Sequence, residues 1–125
     1  MSKTLLVGPD VDEGRKFLDL LKREKVPVSA ALWQSNESGD RWNLAIVTPV
    51  AKELGPVETY RRLRDILEQS LDRPEVDLLN VSVFSPDQNF AKGLRRHLRR
   101  VKEFHVTSQP LGDYFIPNGW VYFVK

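Results

Sequence analysis

The sequence contains no cysteine. This absence excludes disulfide bonds, thiolate catalysis and any zinc site built on sulfur, and it is typical of proteins in a reducing compartment. No apolar run approaches the ~20 residues that a membrane-spanning helix needs, and the run near the start is too short for a signal peptide. We therefore expect a soluble, cytoplasmic protein with no membrane as a partner.

An excess of charge of one sign is also missing. The 19 Lys and Arg residues are nearly balanced by 17 Asp and Glu residues, which leaves a formal net charge of +2. Net charge therefore says little about nucleic acid, and the placement of the charges has to decide. A length of 125 residues with 41% hydrophobic and 29% charged residues predicts a single globular domain over 1–125.

The motifs of several common enzymes are absent. The sequence has no Gly-x-Ser-x-Gly elbow and no dinucleotide-binding glycine fingerprint, and Gly8 and Gly14 are one residue too far apart for a phosphate loop. The two histidines, His97 and His105, match no metal-ligand spacing. We predict no metal site and no cofactor, and a protein that is not an enzyme is the favoured interpretation.

Hydrophobic spacing and turn residues predict an α+β order of elements. Asp10 with Glu13 three residues later is typical of a helix start, and Ser85 followed by Pro86 and a glutamine is another. The predicted helices cover 11–24, 57–71 and 86–101. The predicted strands cover 4–7, 28–34, 41–48, 78–84 and 103–109, with a strand-rich tail over 114–124.

Two hairpins and one crossover follow from this order. Strands 28–34 and 41–48 flank a polar turn and form a hairpin that brings Trp33 near Trp42. The tail forms a second hairpin turned at 117–119. The strand, helix, strand order over 78–109 predicts a βαβ crossover with parallel strands. The expected fold is thus a mixed β-sheet with about three helices packed on it.

The two later helices differ in how their charges are placed. In helix 57–71, Arg61 precedes Asp65 and Arg64 precedes Glu68, each at a spacing that favours an ion pair. Helix 86–101 has no acidic residue between Asp87 and Glu103. Opposite its apolar side it carries a row of cations: Lys92, Arg95, Arg96 and Arg99, with Arg100 at the margin.

Like charges four residues apart cost about 0.2–0.5 kcal/mol per pair in an isolated helix. A polyanion, above all nucleic acid, would offset that repulsion. Three alternatives remain open. The helix dipole favours cations near a C-terminus; acidic residues such as Glu75 and Asp77, or an acidic partner protein, could neutralise the row; or the row is simply solvated. The leading hypothesis is a non-enzymatic module that binds a polyanion through Lys92, Arg95, Arg96, Arg99 and Arg100.

Two other functions stay open. A protein-interaction or homo-oligomeric subunit is indicated by the many aromatic residues of the tail. A small metal-dependent nuclease would need convergent carboxylates, of which Asp113 is the least explained by local structure. His97 lies beside the arginines, where a general acid or base for phosphodiester cleavage could stand. His97 and Asp113 are therefore the catalytic candidates.

Several segments resemble a family of small uncharacterised bacterial proteins. They are the helix with Gly14-Arg15 leading to Pro27-Val28-Ser29-Ala30-Ala31-Leu32-Trp33, the strand Arg41-Trp42-Asn43-Leu44-Ala45-Ile46-Val47-Thr48-Pro49, Gly55-Pro56 with Tyr60-Arg61-Arg62, and Val83-Phe84-Ser85-Pro86. The resemblance covers about the first two thirds of the chain. It implies a bacterial origin and a stand-alone small protein, and it brings no activity, cofactor or catalytic residue.

Overall fold

The structure is a computed structural model that describes residues 9–100 and 102–125. Its helices are α1 (Val11–Arg23), α2 (Pro49–Gln69) and α3 (Asn89–Leu98). Its strands are β1 (Ala30–Ser35), β2 (Trp42–Val47), β3 (Val81–Phe84), β4 (Phe104–Leu111) and β5 (Tyr114–Val124), with a short 3-10 helix at Leu78–Asn80 before β3. The predicted strand 4–7 lies outside the described residues.

The strands form one mixed sheet in the order β3-β2-β1-β5-β4. Strands β1 and β2 pair as an antiparallel hairpin, and so do β4 and β5. Strand β3 pairs with β2 in parallel, so that β2, α2 and β3 form a βαβ crossover. The predicted fold class is confirmed: an α+β fold with a mixed sheet, three helices, one crossover and two hairpins.

The position of the crossover was predicted wrongly. Strands β3 and β4 do not pair; they lie at opposite edges of the sheet and run antiparallel to each other. Helix α3 therefore connects one edge of the sheet to the other. The order strand, helix, strand fits either arrangement, and the long-range pairing of β1 with β5 decides between them.

The C-terminal hairpin also differs from the prediction. Residues 117–119 lie inside the long strand β5, and the turn is at Gly112 and Asp113, where Gly112 has a φ of 72°. Gly119 serves a close approach instead of a turn: a β carbon there would lie 3.0 Å from the carbonyl oxygen of Trp33. An Asn-Gly pair is typical of a turn, but here the glycine is explained by close packing within a strand.

Helices cover both faces of the sheet. Helices α1 and α2 pack on one face through side chains that include Phe17, Leu21, Leu63 and Leu67. Helix α3 packs on the other face through Phe90, Ala91, Leu94 and Leu98. Strands β1 and β2 lie in the middle of the sheet and are buried on both faces, which explains their nearly continuous apolar sequences.

The start of α1 confirms the predicted cap. The carboxylate of Asp10 accepts a hydrogen bond from the backbone N–H of Glu13 at 3.1 Å, which satisfies one of the free donors of the first turn. The helix ends at Arg23, and Val26 N–H then donates to the carbonyl of Leu21 at 2.9 Å. Lys25 takes the left-handed conformation that this type of helix end requires, with a φ of 61°.

Helix α2 is longer than predicted. It begins at Pro49, because Thr48 caps it by accepting a hydrogen bond from Val50 N–H at 3.2 Å. Residues 49–54, which precede the predicted helix 57–71, form a first helical segment, which is separated from the second by a kink at Gly55 (φ 82°). Gly55 and Pro56 mark this kink.

The ion pairs of α2 are not the predicted ones. Arg61 pairs with Glu58, and Arg64 lies 3.7 Å from its neighbour Asp65.

The two tryptophans of the first hairpin share a face of the sheet, but Trp33 lies directly opposite Leu44, not opposite Trp42.

None of the helices in the described part of the chain has the length and the apolar character that a membrane span requires.

Candidate nucleic-acid interface

Helix α3 begins later than its sequence predicts. Ser85 was predicted as the N-cap, but residues 85–88 form a turn and the helix starts at Asn89. The side chain of Gln88 accepts a hydrogen bond from Ser85 N–H at 2.7 Å, and the Ser85 hydroxyl bonds to Asp87. The hydrogen bonds of these side chains are made within the turn 85–88, so none of them caps the first turn of α3.

Helix α3 also ends early, at Leu98 instead of 101. Arg100 N–H donates to the carbonyl of Val124 at 3.0 Å, and Val124 N–H donates back to Arg100. This bridge to β5 pulls the backbone of 99–100 out of the helix. Of the like-charged pairs expected four residues apart, Lys92 with Arg96 is therefore the pair that lies wholly within α3.

Three of the predicted cations form what we call the basic face: Lys92, Arg96 and Arg99. All three side chains are exposed. Among the described residues, none of the three has a carboxylate oxygen within 4.0 Å of its charged nitrogens. In α1 and α2, by contrast, several cations do have such a partner (Arg15, Lys16, Lys52, Arg61 and Arg64), whereas Lys22, Arg23 and Arg62 have none within the described residues.

The other two predicted binding residues have structural contacts. Arg95 is half-buried and donates a hydrogen bond to the carbonyl oxygen of Pro86 at 2.9 Å, which fastens the turn before α3 to the helix. The guanidinium of Arg100 lies 4.6 Å from the centre of the Phe104 ring. These contacts give Arg95 and Arg100 structural roles beside the basic face.

The acidic residues considered as partners for the cations lie elsewhere. Glu75 donates its backbone N–H to Glu13 of α1, on the opposite side of the sheet from α3. The carboxylate of Asp77 accepts from Leu79 N–H at 2.9 Å. Asp87, the last acidic residue before α3, bonds to Ser85 and Lys52, and these contacts hold its pKa below the usual value. The positive charges of the basic face are therefore not neutralised by these carboxylates, and the helix dipole, solvent or a ligand has to stabilise them.

A turn of the sheet packs directly against α3. Gly93 faces the end of β4, where a β carbon would lie 3.0 Å from the carbonyl oxygen of Leu111. Any larger residue at 93 would have to move the turn at Gly112. The absence of a side chain at 93 therefore brings the β4–β5 turn and the basic face together.

A groove of about 250 Å³ lies between α3 and this turn. It is lined by polar and aromatic side chains, chief among them Asn89, Lys92, Arg96, His97, Asp113 and Tyr114. The two residues singled out as catalytic candidates, His97 and Asp113, thus line the same groove as two of the three cations. The sequence did not predict that His97 and Asp113 lie close together, because the turn of the C-terminal hairpin was expected at 117–119.

Tyr114 lines this groove as well, although it was not among the residues predicted for polyanion binding or catalysis. Its side chain is 45% exposed, and its ring packs edge-on at 5.5 Å from the ring of the buried Phe90. A partly exposed aromatic ring beside cations is a typical feature of surfaces that bind single-stranded nucleic acid. The Gly-Asp pair at 112–113 is the signal in the sequence that could have placed Tyr114 beside a turn, although not beside α3.

The second histidine lies outside the groove. His105 is exposed on β4, and its Nε2 lies 3.1 Å from the side-chain oxygen of Asn118. Its neighbours Phe104 and Val106 pack on the core under α3, since successive side chains of a strand point to opposite faces. Within the part of the chain that the structure describes, no three His, Asp or Glu side chains are grouped so that they could hold a metal ion.

Comparison of the chain with models of protein families, with curated proteins and with solved structures finds no match.

Proposed function

We propose that this protein is a non-enzymatic module that binds nucleic acid through the basic face of α3. One observation carries the proposal: Lys92 and Arg96 on α3, and Arg99 directly after it, are all exposed, and none of the three has a carboxylate partner among the described residues. Phosphates would remove the mutual repulsion of these cations and release the counterions that now screen them. The cysteine-free composition and the resemblance to small bacterial proteins support a bacterial, cytoplasmic setting.

The helix dipole alone does not account for the basic face. Cations are stabilised in the last turn of a helix, which covers Arg96, but the effect falls off beyond that turn. Lys92 stands in the first half of α3 and gains little from it. A ligand that contacts both ends of the basic face accounts for all three cations.

A salt series with fluorescently labelled DNA and RNA tests the proposal. If the three cations each neutralise one phosphate, the logarithm of the binding constant should fall with the logarithm of salt concentration with a slope of about −2 for a single strand. Changing Lys92, Arg96 and Arg99 to Glu removes three attractions and adds three repulsions. We expect a loss of more than about tenfold in affinity, since each exposed ion pair contributes about 0.2–1 kcal/mol.

A matched control keeps the interpretation specific. Lys22, Arg23 and Lys25 are also exposed and lie at the C-terminal end of α1, on the other side of the sheet. Their change to Glu alters the net charge by the same amount as the change on α3. An equal loss in both variants would show general charge attraction, and no binding by the wild type at low salt would end the proposal.

A protein-interaction or homo-oligomeric function is the second candidate, and one surface favours it. Val57 and Leu79 are 67% and 90% exposed, and both line a groove of about 780 Å³ between α2 and β3, away from α3. Apolar side chains so exposed are typical of docking surfaces. Sedimentation over a range of concentrations tests self-association: a dimer that Val57→Lys with Leu79→Lys dissociates would support it, and a monomer throughout would oppose it.

A nuclease is the third candidate, favoured by the presence of His97 and Asp113 in one groove with Lys92 and Arg96. Incubation of DNA and RNA with the protein and Mg²⁺ or Mn²⁺ tests it. Cleavage that His97→Ala and Asp113→Asn both abolish would support the candidate. Intact nucleic acid, or cleavage that both variants retain, would remove it.

A further inference from the structure

We infer that the nucleic acid bound by α3 is single-stranded, and that one unpaired base stacks on Tyr114 while the flanking phosphate contacts Lys92 and Arg96. This inference rests on the proposed function and adds to it the kind of nucleic acid and a residue that reads its bases. The three side chains line one groove.

The ring of Tyr114 is placed to receive a base. It is held from the protein side by Phe90, which is 2% exposed and packs edge-on against it, while 45% of Tyr114 remains open to solvent. A ring fixed in this way loses little conformational freedom when a base stacks on it. Stacking of a base on an aromatic side chain contributes about 1–3 kcal/mol.

The size of the groove limits what it can hold. At about 250 Å³ it is smaller than the range of roughly 300 Å³ upward that is typical of pockets for drug-sized ligands and cofactors. A single base with its phosphate suits such a space better than a whole dinucleotide. A duplex keeps its bases stacked on one another, so it cannot offer a free base face to Tyr114.

The charges of the groove set the orientation of the strand. Asp113 lies in the turn beside Tyr114, and its carboxylate repels a phosphate. Lys92 and Arg96 attract one from the helix side. The phosphate therefore belongs over α3 and the base over the turn, where Asp113 can accept a hydrogen bond from an amino group of the base.

Gly93 and Gly112 keep this arrangement in place. Gly93 allows the turn to approach α3 until a β carbon would lie 3.0 Å from the carbonyl oxygen of Leu111. Gly112 takes a φ of 72°, which the turn requires and which other residues adopt at a cost. The distance between the cations of α3 and the ring of Tyr114 is thus set by packed backbone.

The test compares labelled oligo(dA), the same strand made with abasic sugars, and the oligo(dA)·oligo(dT) duplex. We expect the wild type to bind oligo(dA) at least about fivefold more tightly than the abasic strand or the duplex. Tyr114→Ala should reduce oligo(dA) binding to the level of the abasic strand, and Tyr114→Phe should retain it. Phe115→Ala is the matched control, since Phe115 is 56% exposed but does not line the groove.

The outcomes separate this inference from the proposed function. If Tyr114→Ala binds oligo(dA) as well as the wild type, while the change of Lys92, Arg96 and Arg99 to Glu still abolishes binding, base stacking is wrong and the basic face stands. Equal binding of the abasic strand has the same meaning. An equal loss in Phe115→Ala would also overturn the role of Tyr114, and binding unaffected by the charge changes would overturn the proposed function itself.

Discussion

Gly93 of α3 lies so close to Leu111 at the end of β4 that a β carbon on Gly93 would lie 3.0 Å from the Leu111 carbonyl oxygen. Glycine is an unfavourable residue within a helix, by about 1 kcal/mol relative to alanine. Its presence here is explained by the approach of the turn, which brings Asp113 and Tyr114 beside Lys92 and Arg96.

Replacement of Gly93 by Ala therefore should not give the usual gain of a Gly-to-Ala change in a helix. We expect the free energy of unfolding in urea to stay equal or to fall, because the added methyl group must push against the backbone of Leu111. A rise of about 1 kcal/mol would show that the turn moves without cost.

Tyr122 of β5 joins three elements on the other face of the sheet. Its hydroxyl accepts a hydrogen bond from the indole Nε1 of Trp33 at 2.8 Å and donates one to the carbonyl oxygen of Val11 at 2.7 Å. Burial raises the pKa of this hydroxyl, so it stays protonated and able to donate. Tyr122→Phe should lower the free energy of unfolding by about 1–3 kcal/mol, because both partners lose their bond.

The matched control for that change is Tyr114→Phe. The Tyr114 side chain is 45% exposed, so its hydroxyl can bond to water when the protein is folded. Denaturation in urea should show no loss of stability for Tyr114→Phe. Equal losses for the two variants would contradict the role assigned to the contacts of Tyr122.

Gly14 of α1 contacts the same hydroxyl. A β carbon on Gly14 would lie 2.2 Å from the oxygen of Tyr122 and 2.8 Å from Nε1 of Trp33. Gly14→Ala should therefore destabilise the protein by about 1–3 kcal/mol. Adding Tyr122→Phe removes the nearest atom, so the double variant should be more stable than the sum of the two single effects by about 1 kcal/mol. Additive losses in urea denaturation would contradict this geometry.

Glu103, just before β4, links the sheet to α1. Both of its oxygens accept hydrogen bonds from Arg15, at 2.6 and 2.8 Å, and Trp120 donates a further one at 3.1 Å. These bonds, that of Arg15 first, hold the pKa of Glu103 below its ordinary value of 4.5. A carboxylate with a lowered pKa stabilises the fold above its unfolded value, and the stabilisation is lost as the pH falls through the folded value.

Glu103→Gln should thus reduce stability at neutral pH, by an amount on the order of 0.5 kcal/mol because the pair is partly exposed. Below pH 4.5 its stability should fall less steeply than that of the wild type. Thermal denaturation between pH 7 and pH 3 measures both effects. Glu53→Gln, at an exposed carboxylate of α2, is the control, and an equally shallow acid profile for it would contradict the account.

The elements with strong local patterns were the ones that could be predicted. The cap at Asp10, the apolar stripe of α1 with Phe17 and Leu21, and the first hairpin all follow from contacts between residues close in the chain, the widest being the hairpin pair Ala30 and Val47. The basic face was also visible, because Lys92, Arg96 and the other cations stand close together in the chain. The sequence therefore indicated the surface on which the proposal rests.

The features that were predicted wrongly, or not at all, depend on contacts with residues far away in the chain. The end of α3 is set by the bridge of Arg100 to Val124, and residues 117–119 are held in a strand by the approach of Gly119 to Trp33. The groove of Tyr114 exists because Gly93 receives the turn after Leu111. Each of these is a long-range backbone contact that overrides a local preference, and local preferences are all that a single sequence displays.

The most direct test of the account is to map the binding surface by the chemical shifts of backbone amides during titration with oligo(dA). We predict that the amides that shift lie in α3 and in the turn at 111–114, with the largest changes near Lys92, Arg96 and Tyr114. The amides of α1 and α2, on the other face of the sheet, should stay unchanged. Shifts confined to α1 and α2, or none at low salt, would contradict the claim that the basic face of α3 binds nucleic acid.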